Sequence, residues 1–356
     1  MSKKLVAVIF GGFSPEYEVS LKSAYSVINA IDKNKYDILM LGITKKGQLY
    51  KYTGSVEDIP TDNWHEDKQK IQKALISSDR GGGVLVFENG APISVNVDIV
   101  FPVLHGRYGE DGTIQGLCEL AGIPVVGSGS AASALCMDKN RANKIISLTG
   151  ISVPKSVCFE YKPTEEELLT AVQDLKLPVF VKPVKAGSSI GVSKVYDFFD
   201  IPLAVKEAFV YDDAVIIEEN IYGKEVGCAI VGNLELITGR INEIEVPEGF
   251  FDYTEKYTHN TSIIHVPARI DNESEKRVQE AGKLIFLALG CRGYARIDMF
   301  LTDDGDIVFS EANTIPGFTS LSLFPEMMNA VGIDYPELVD MLINYGLQVK
   351  KGEWYG

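Results

Sequence analysis

Three features are scarce in this sequence of 356 residues: cysteine, excess basic charge and long hydrophobic runs. The five cysteines are scattered and form no Cys-x-x-Cys pair, so we expect buried thiols in a reducing compartment rather than disulfides or a zinc site. The apolar run after "MSKK" is short, and no run reaches the roughly 18 residues of a membrane span. We therefore expect a soluble, cytoplasmic protein.

Basic residues are outnumbered, with 34 Lys and Arg against 49 Asp and Glu and a net charge of −15. This balance excludes a general nucleic-acid binder, which needs a basic surface. It does not exclude a small phosphate compound, because local lysines and a metal can reverse the sign inside one cleft. Two nucleotide signatures are also lacking. There is no P-loop, and "GGFSPE" after the first apolar run is not Gly-x-Gly-x-x-Gly.

The length predicts two or three compact units rather than one. In the first unit, buried strands "KLVAVIFGG", "YDILMLGIT", "VDIVFPVLHG" and "IPVVG" alternate with helical patterns, which predicts a parallel sheet with covered faces. The segment 50–95 is polar and gives no clear pattern. The small-residue run "SGSAASAL" after Gly127 predicts a hinge or boundary.

Further along the chain, strands and helices mix without strict alternation. "LPVFVKPV" and "AVIIEEN" predict strands, and Lys224 to Ile244 predicts a more antiparallel arrangement. Thr164 and Glu167 have capping-box spacing, and Asn272 is the expected cap of a later helix. We predict an N-terminal α/β unit and two α+β units. Their expected bounds are residues 1–128, 129–228 and 229–356.

The stretch "ARIDMFLTDDGDIVFSEANTIPGFTS" places acids and an amide on two short apolar runs joined by an Asp/Gly turn. Alternation puts Arg296 and Asp298 on one face of the first strand, and Phe309, Glu311 and Asn313 on one face of the second. If "TDDGD" is the turn, three oxygen ligands converge, as Mg²⁺ prefers. The alternative is an Arg296 ion pair with acids at strand ends.

Phosphates bound through a metal also need cations and backbone N–H groups nearby. Lys182 ends a buried strand, where an unpaired lysine is costly, and "KAGSSIG" after it lets amides approach phosphate oxygens. An ordinary tight hairpin is the alternative for that loop. In "IIEENIYGKE", Glu218, Glu219 and Glu225 are placed to bind an adenine amino group and ribose hydroxyls, or are solvated surface charges.

Seven motifs occur in the order found in D-alanine–D-alanine ligases and their vancomycin-resistance relatives: "GGFSPEYEVS", "HGRYGEDGTIQG", "MDKNRANK", "VFVKPVKAGSSIGVSKV", "FFDYTEKY", "ARIDMF" and "EANTIPGFTSLS". The chain resembles this family over nearly its whole length. The resemblance implies an ATP-grasp fold, of mixed α/β and α+β class, with an N-terminal Rossmann-like (pre-ATP-grasp) subdomain that binds the first D-alanine.

The resemblance also implies an ATP site between the central and C-terminal units. The expected contacts of ATP are Lys139, Lys182, Ser188 and Ser189 on the phosphates, and Glu218, Glu219 and Glu225 on adenine and ribose. The expected ligands of two Mg²⁺ ions, or of Mn²⁺ in their place, are Asp298, Glu311 and Asn313. Arg296 and the backbone amide of Gly317 would stabilise developing negative charge.

Substrate contacts follow from the same resemblance. Glu16 would bind the ammonium of the first D-alanine and form a triad with Ser188 and Tyr257, the latter in a lid at about 246–266. His105 would lie near the substrate carboxylates, and Lys256 and Ser322 complete the expected set. Taken alone, Glu16 is equally a helix N-terminal acid, Tyr257 a surface aromatic and His105 a satisfied loop residue.

The expected reaction joins two D-amino acids through an acyl phosphate, for peptidoglycan precursors, in a cytoplasmic homodimer that contacts neither nucleic acid nor membrane. Lys256 and Tyr257 favour an amino-acid acceptor, and Leu323 stands where D-serine ligases tend to carry arginine, so D-alanine is expected first. The lid "FFDYTEKYT" resembles the D-serine enzymes, and D-alanine–D-serine ligase is the alternative. Another ATP-grasp carboxylate–amine ligase and a non-catalytic nucleotide-binding regulator are the remaining alternatives.

Overall fold

Three β-sheets follow one another along the chain in the computed structural model, which describes residues 3–187, 189–245 and 263–350. Within these ranges no helix is long and apolar enough to cross a membrane. The five cysteines are free thiols, as predicted, and all but the half-buried Cys158 are buried.

The first sheet has seven strands in the order β6-β5-β4-β3-β2-β1-β7. Their bounds are β1 Lys4–Gly11, β2 Tyr36–Ile43, β3 Leu49–Tyr52, β4 Ile71–Ile76, β5 Val84–Glu88, β6 Ala91–Val95 and β7 Ile99–Val103. Only β1 with β2 and β1 with β7 pair in parallel. The parallel prediction is therefore confirmed for three of its four strands, β1, β2 and β7.

The segment 50–95, which shows no clear sequence pattern, contributes the antiparallel strands β3 to β6. Buried and more exposed residues alternate in β4 and β5, and β6 is mostly exposed, so the hydrophobic signal of these strands is weak. The predicted strand "IPVVG" forms only a single bridge, from Val125 to Val100.

Four helices accompany and follow this sheet: α1 Tyr17–Ala30, α2 Thr113–Ala121, α3 Ser130–Met137 and α4 Lys139–Ser147. The hinge or boundary predicted at "SGSAASAL" stays a prediction, and the alanine-rich part of this run forms helix α3, in which Ala132 and Cys136 are buried. Asp138 caps α4 by accepting a hydrogen bond from the Arg141 N–H. That cap fixes Lys139 as the first residue of the helix.

The second sheet has four antiparallel strands in the order β10-β9-β11-β8. They are β8 Ser156–Phe159, β9 Val179–Pro183, β10 Ser193–Val195 and β11 Val215–Glu219. Helices α5 Glu165–Val172 and α6 Ile201–Ala208 pack on one face of this sheet. The predicted capping box is confirmed, with Thr164 and Glu167 each bonding to the other's backbone.

The third sheet has six antiparallel strands: β12 Lys224–Gly232, β13 Leu236–Thr238, β14 Asn242–Glu245, β15 Ile263–His265, β16 Gly293–Leu301 and β17 Ile307–Asn313. The chain continues through α7 Asn272–Ala288, α8 Leu323–Asn329 and α9 Tyr335–Lys350, where α7 precedes β16. The cap predicted at Asn272 is wrong by one residue. Asp271 caps α7 by accepting from the N–H groups of Glu273 and Ser274.

Candidate active site

The β16–β17 hairpin brings its polar residues together on one face. Arg296 lies opposite Asn313, and Asp298 lies opposite Glu311. Because these pairs are two residues apart along β16, they share one face of the third sheet. Asp298, Glu311 and Asn313 therefore lie on one face of the hairpin, and the metal site itself stays a prediction.

A β-bulge at Ser310 decides where this polar face ends. The register shifts between Asp298 and Met299, so that Met299 lies opposite Phe309. The prediction that Phe309 shares a face with Glu311 is wrong: Phe309 is fully buried among the apolar side chains that include Met299. The extra residue in β17 keeps the carboxylate on the polar face and the phenyl ring in the core.

Arg296 forms a bidentate ion pair with Asp298. Its Nε donates to Oδ1 and its Nη2 donates to Oδ2, each at 2.7 Å. Burial lowers the pKa of Arg296, but Asp298 and then Glu311 and Glu225 outweigh it and raise that pKa above its ordinary value. The guanidinium is thus a fixed positive charge, and the ion-pair alternative from the sequence is also present in the structure.

Two lysines lie at the polar end of the second sheet. Lys182 Nζ is 2.5 Å from Glu218 Oε2, and Lys139 Nζ donates to the Ala186 carbonyl at 2.8 Å while lying 3.8 Å from Glu311 Oε2. Burial lowers the pKa of Lys182, whereas Glu218 raises it and prevails. Lys139 therefore connects the glycine-serine loop with the metal-candidate hairpin.

The three glutamates expected to bind nucleotide do not all point to one place. Glu218 faces Lys182 and also accepts a hydrogen bond from Asn143 Nδ2 at 2.9 Å. Glu219 follows it in the strand and so faces the other side, where it accepts from the Lys176 N–H at 3.0 Å. Glu225 raises the pKa of Lys182, so it lies within electrostatic reach of the lysine.

Glu16 lies where the first unit approaches the glycine-serine loop. It precedes α1, and its Oε2 is 2.5 Å from the position that a Cβ on Gly106 would occupy and 3.6 Å from the corresponding position on Gly187. Gly106 has a φ of +72°, so both its backbone and the nearby carboxylate require glycine. The carboxylate is thus placed between two glycine-containing loops.

His105 is buried and joins the first unit to the loop after β17. Its Nδ1 is 3.0 Å from the Ile315 carbonyl and its Nε2 is 3.2 Å from Ser23 Oγ. Glu110 Oε1 lies 3.7 Å from Nδ1. Burial lowers the pKa of His105, whereas Glu110 raises it. The net shift of this pKa is upward. Sequence reasoning missed Glu110, although "HGRYGEDG" carries it five residues after the histidine.

The remaining predicted residues are only partly brought together. Gly317 and Ser322 are neighbours in the loop before α8, and Ser322 Oγ accepts from the Thr319 N–H at 3.0 Å. Ser189 has a left-handed φ of 55° in the glycine-serine loop. Ser188, Lys256, Tyr257 and most of the predicted lid lie outside the described residues, and β15 begins at Ile263.

This arrangement suits an anionic ligand held with a metal. In the described ranges no group of three or more His, Cys, Asp or Glu residues can hold a metal by itself. Two carboxylates and one amide, from Asp298, Glu311 and Asn313, match instead a hard cation that keeps positions for phosphate oxygens and water. Lys139, Lys182 and Arg296 are positive charges near these oxygens, and phosphoryl transfer is a reaction that needs such charges.

Comparisons with known proteins agree over almost the whole chain. The family model "D-ala D-ala ligase N-terminus" matches residues 5–128, and "D-ala D-ala ligase C-terminus" matches residues 145–344. The D-alanine–D-alanine ligase of Caldicellulosiruptor bescii is 40% identical over 98% of this chain and 96% of its own. The vancomycin C-type resistance protein VanC1 of Enterococcus gallinarum is 42% identical over 96% and 97%, respectively.

Two solved structures are similar in fold. The VanG D-Ala:D-Ser ligase of Enterococcus faecalis has a TM-score of 0.91 and 52% identity, covering 97% of this chain and 100% of its own. The D-alanine–D-alanine ligase of Coxiella burnetii has a TM-score of 0.86 and 29% identity, covering 100% and 97%.

Proposed function

The chain belongs to the D-alanine–D-alanine ligase family, whose fold is ATP-grasp, and we propose that it is an ATP-dependent ligase that forms D-alanyl-D-alanine. The observation that carries the proposal is the polar face of the β16–β17 hairpin. There Arg296, Asp298 and Glu311 are held together, and Lys139 reaches Glu311 from α4. A regulator without catalysis has no need to keep this whole set of charges.

ATP is assigned to the space between the second and third sheets. Lys139 and Lys182 bind its phosphates, and the loop with Ser188 and Ser189 covers them. Glu218 and Glu225 bind the adenine and ribose, as acceptors for amino and hydroxyl groups. We leave the side chain of Glu219 out of this set, because it binds the Lys176 amide on the other side of the sheet.

Two Mg²⁺ ions, the number that the family resemblance implies, are assigned to Asp298, Glu311 and Asn313. All three offer oxygen atoms, and Asp298 and Glu311 are opposite one another on paired strands, which fits a hard divalent cation. When bound, the metal neutralises phosphate charge and orients the oxygens for transfer. The acids of the pair face cations in the free protein, so their charge is already balanced before ATP binds.

In the first step, a carboxylate oxygen of the first D-alanine attacks the γ-phosphorus of ATP, and ADP leaves. Glu16 holds the ammonium of this D-alanine, and His105 lies near its carboxylate. Lys139 and Lys182 stabilise the charge that moves on to the phosphate oxygens. The product is D-alanyl phosphate, which hydrolyses if water reaches it, so the site must be closed.

In the second step, the amine of the second D-amino acid attacks the acyl carbon. The oxyanion of the tetrahedral intermediate is stabilised by Arg296 and by the backbone N–H of Gly317. Phosphate then leaves and carries one oxygen of the original carboxylate. The predicted lid with Lys256 and Tyr257 would exclude water and orient the acceptor, with Ser188 and Glu16 completing the triad.

D-Alanine is our first assignment for the acceptor. Leu323 is the first residue of α8 and packs against the large apolar cluster that includes Phe318 and Phe324. An apolar side chain offers no hydrogen bond to a D-serine hydroxyl, so it gives D-serine no advantage. D-Serine is the second candidate, because VanG, a D-Ala:D-Ser ligase, is 52% identical to this chain.

The test is a competition between the two acceptors. The purified protein is incubated with MgATP and equal D-alanine and D-serine, and the dipeptides are identified by mass spectrometry. We expect mostly D-Ala-D-Ala, and a shift toward D-Ala-D-Ser in Leu323→Arg. D-Ala-D-Ser from the unsubstituted protein would establish the second candidate. ATP consumption without any dipeptide would support the assignment of ATP and contradict the assignment of the two amino-acid substrates.

The cellular setting is part of the same proposal. We assign the protein to the cytoplasm as a homodimer that supplies dipeptide for peptidoglycan precursors. The first unit binds the first D-alanine, and the other two hold ATP. Sedimentation in solution tests the dimer: a monomer at working concentration would contradict it.

A further inference from the structure

The buried carboxamide of Asn242 has no hydrogen-bond partner among the described residues. Asn242 is the first residue of β14 and is 0% exposed. Within the part of the chain that the structure describes, neither its Oδ1 nor its Nδ2 makes a hydrogen bond. Burial of an unpaired amide destabilises the fold, so a residue kept in this state has another use or is a defect.

The position of Asn242 relates it to the proposed metal site. Asn242 lies opposite Gly227 of β12, Gly227 lies opposite Asp298 of β16, and Asp298 lies opposite Glu311 of β17. These residues form one transverse row across four adjacent strands, on one face of the sheet. The glycine leaves a gap in that row, between the amide and the carboxylate.

The gap is bounded by the two side chains. Asn242 Oδ1 lies 2.3 Å, and Asp298 Oδ1 lies 3.1 Å, from the position that a Cβ on Gly227 would occupy. The amide is therefore directed across the glycine toward the carboxylate. In this structure the Oδ1 acceptor of Asn242 faces Asp298. A half-turn about χ2 of Asn242 would place the donor Nδ2–H there instead.

In the proposed reaction Asp298 loses hydrogen bonds that the Nδ2–H donor of Asn242 can replace. In the free protein both of its oxygens accept from Arg296. In the proposed reaction Arg296 stabilises the oxyanion and Asp298 binds the metal, so the bidentate pair has to loosen. A ligating carboxylate that loses a hydrogen bond is oriented less well unless another donor replaces it.

We propose that Asn242 is a positioning residue of the metal site, whose Nδ2–H hydrogen-bonds to Asp298, directly or through one water, when Asp298 turns from Arg296 to the metal. The inference rests on the proposed function, since it takes Asp298 as a ligand of Mg²⁺. It adds a residue that the sequence motifs do not include.

The test uses Asn242→Leu and Asn242→Ala and measures Mn²⁺ binding by electron paramagnetic resonance with a non-hydrolysable ATP analogue. Loss of a residue that orients a ligand weakens metal binding by about 10–100-fold, and we expect that loss in both variants. We expect the ligand-free Asn242→Leu protein to melt no lower than the unsubstituted protein, because its amide has no hydrogen bonds to lose.

Asn233→Leu is the matched control. Asn233 is also buried, but its Nδ2 donates to the Tyr345 carbonyl and to Gln348 Oε1, and its Oδ1 accepts from the Gly293 N–H. We expect this variant to melt lower and to bind Mn²⁺ with unchanged affinity. The two asparagines thus separate a structural amide from a positioning one.

Unchanged Mn²⁺ affinity in both Asn242 variants would overturn the inference. So would a fall in the melting temperature of both variants as large as that of Asn233→Leu, since the amide would then have partners in the free protein. Glu311→Gln separates this failure from that of the proposed function. If Glu311→Gln loses Mn²⁺ and the Asn242 variants keep it, only the inference fails. If Glu311→Gln also keeps Mn²⁺, the metal assignment fails with it.

Discussion

The two faces of the six-stranded sheet differ although they are built from the same strands. On one face Ile297, Met299 and Phe309 pack with residues of α7 in a fully apolar cluster. On the other face Asp298 is paired with Arg296, and Glu311 lies near Lys139. Each acid is only one or two residues away in sequence from a residue of the apolar face. Strand alternation lets a single hairpin serve both purposes.

The difference shows where stability and chemistry are separated. The apolar face holds the hairpin in place through burial, which is non-directional and tolerates little loss of volume. The polar face contains buried charges, and these contribute less to stability than apolar residues of similar size would. Substitutions on the two faces should therefore have different consequences.

The largest effect is expected on the apolar face. Phe309→Ala removes a fully buried ring and should destabilise the protein by about 3–5 kcal/mol. Urea unfolding measures this loss. Turnover per folded molecule should stay close to that of the unsubstituted protein, because the ring lies on the face away from Asp298. A large loss of turnover with full stability would contradict the assignment of stability to the apolar face and of chemistry to the polar face.

Next in size is the loss of Arg296 from the polar face. Arg296→Gln should lower kcat by roughly 10²–10³-fold, as expected when one donor to a developing oxyanion is removed. Arg296→Lys is the matched control, because it keeps the positive charge but not the bidentate guanidinium. Its kcat should lie between that of the unsubstituted protein and that of Arg296→Gln. Steady-state kinetics with D-alanine measures both. Equal activity of all three proteins would exclude Arg296 from the chemistry.

A smaller effect is expected at Gly227, which lies between Asn242 and Asp298. A Cβ there would lie 2.3 Å from Asn242 Oδ1, so Gly227→Ala should destabilise the fold by about 1–3 kcal/mol through overpacking. Mn²⁺ affinity should fall as well, because the added methyl group displaces the row of ligands. Gly116→Ala is the control for the loss of glycine itself, because Gly116 has no positive φ and the nearest atom to an added Cβ, Ser130 Cβ, lies 3.7 Å away.

The smallest effect concerns His105, which lies outside the sheet. Burial lowers its pKa, but Glu110 outweighs burial and raises it above the ordinary 6.5. A raised folded-state pKa contributes stability that is complete below pH 6.5 and is lost as the pH rises through the folded value. Melting curves from pH 6 upward should show this loss, and His105→Gln should not. Parallel pH profiles would contradict the pairing with Glu110.

The sequence predicts the polar hairpin, because alternation of side chains is a local property. It does not predict the bulge at Ser310, which depends on how β17 fits against β16. The same distinction explains segment 50–95, whose half-exposed strands carry little hydrophobic signal, and Glu219, whose orientation follows from the pairing of β11. The pairing of Glu110 with His105 depends on the conformation of the loop between them, and the place of Asn242 follows only from the pairing of β14, β12 and β16.

The central claim is that the polar face supports transfer of a phosphoryl group to the carboxylate of D-alanine. The most direct measurement uses D-alanine labelled with ¹⁸O in its carboxylate, with MgATP and the unsubstituted protein, and follows the label in the released phosphate by mass spectrometry. We expect one labelled oxygen in the phosphate for each dipeptide formed. Dipeptide formation with unlabelled phosphate would contradict the acyl-phosphate mechanism and the roles given to this face.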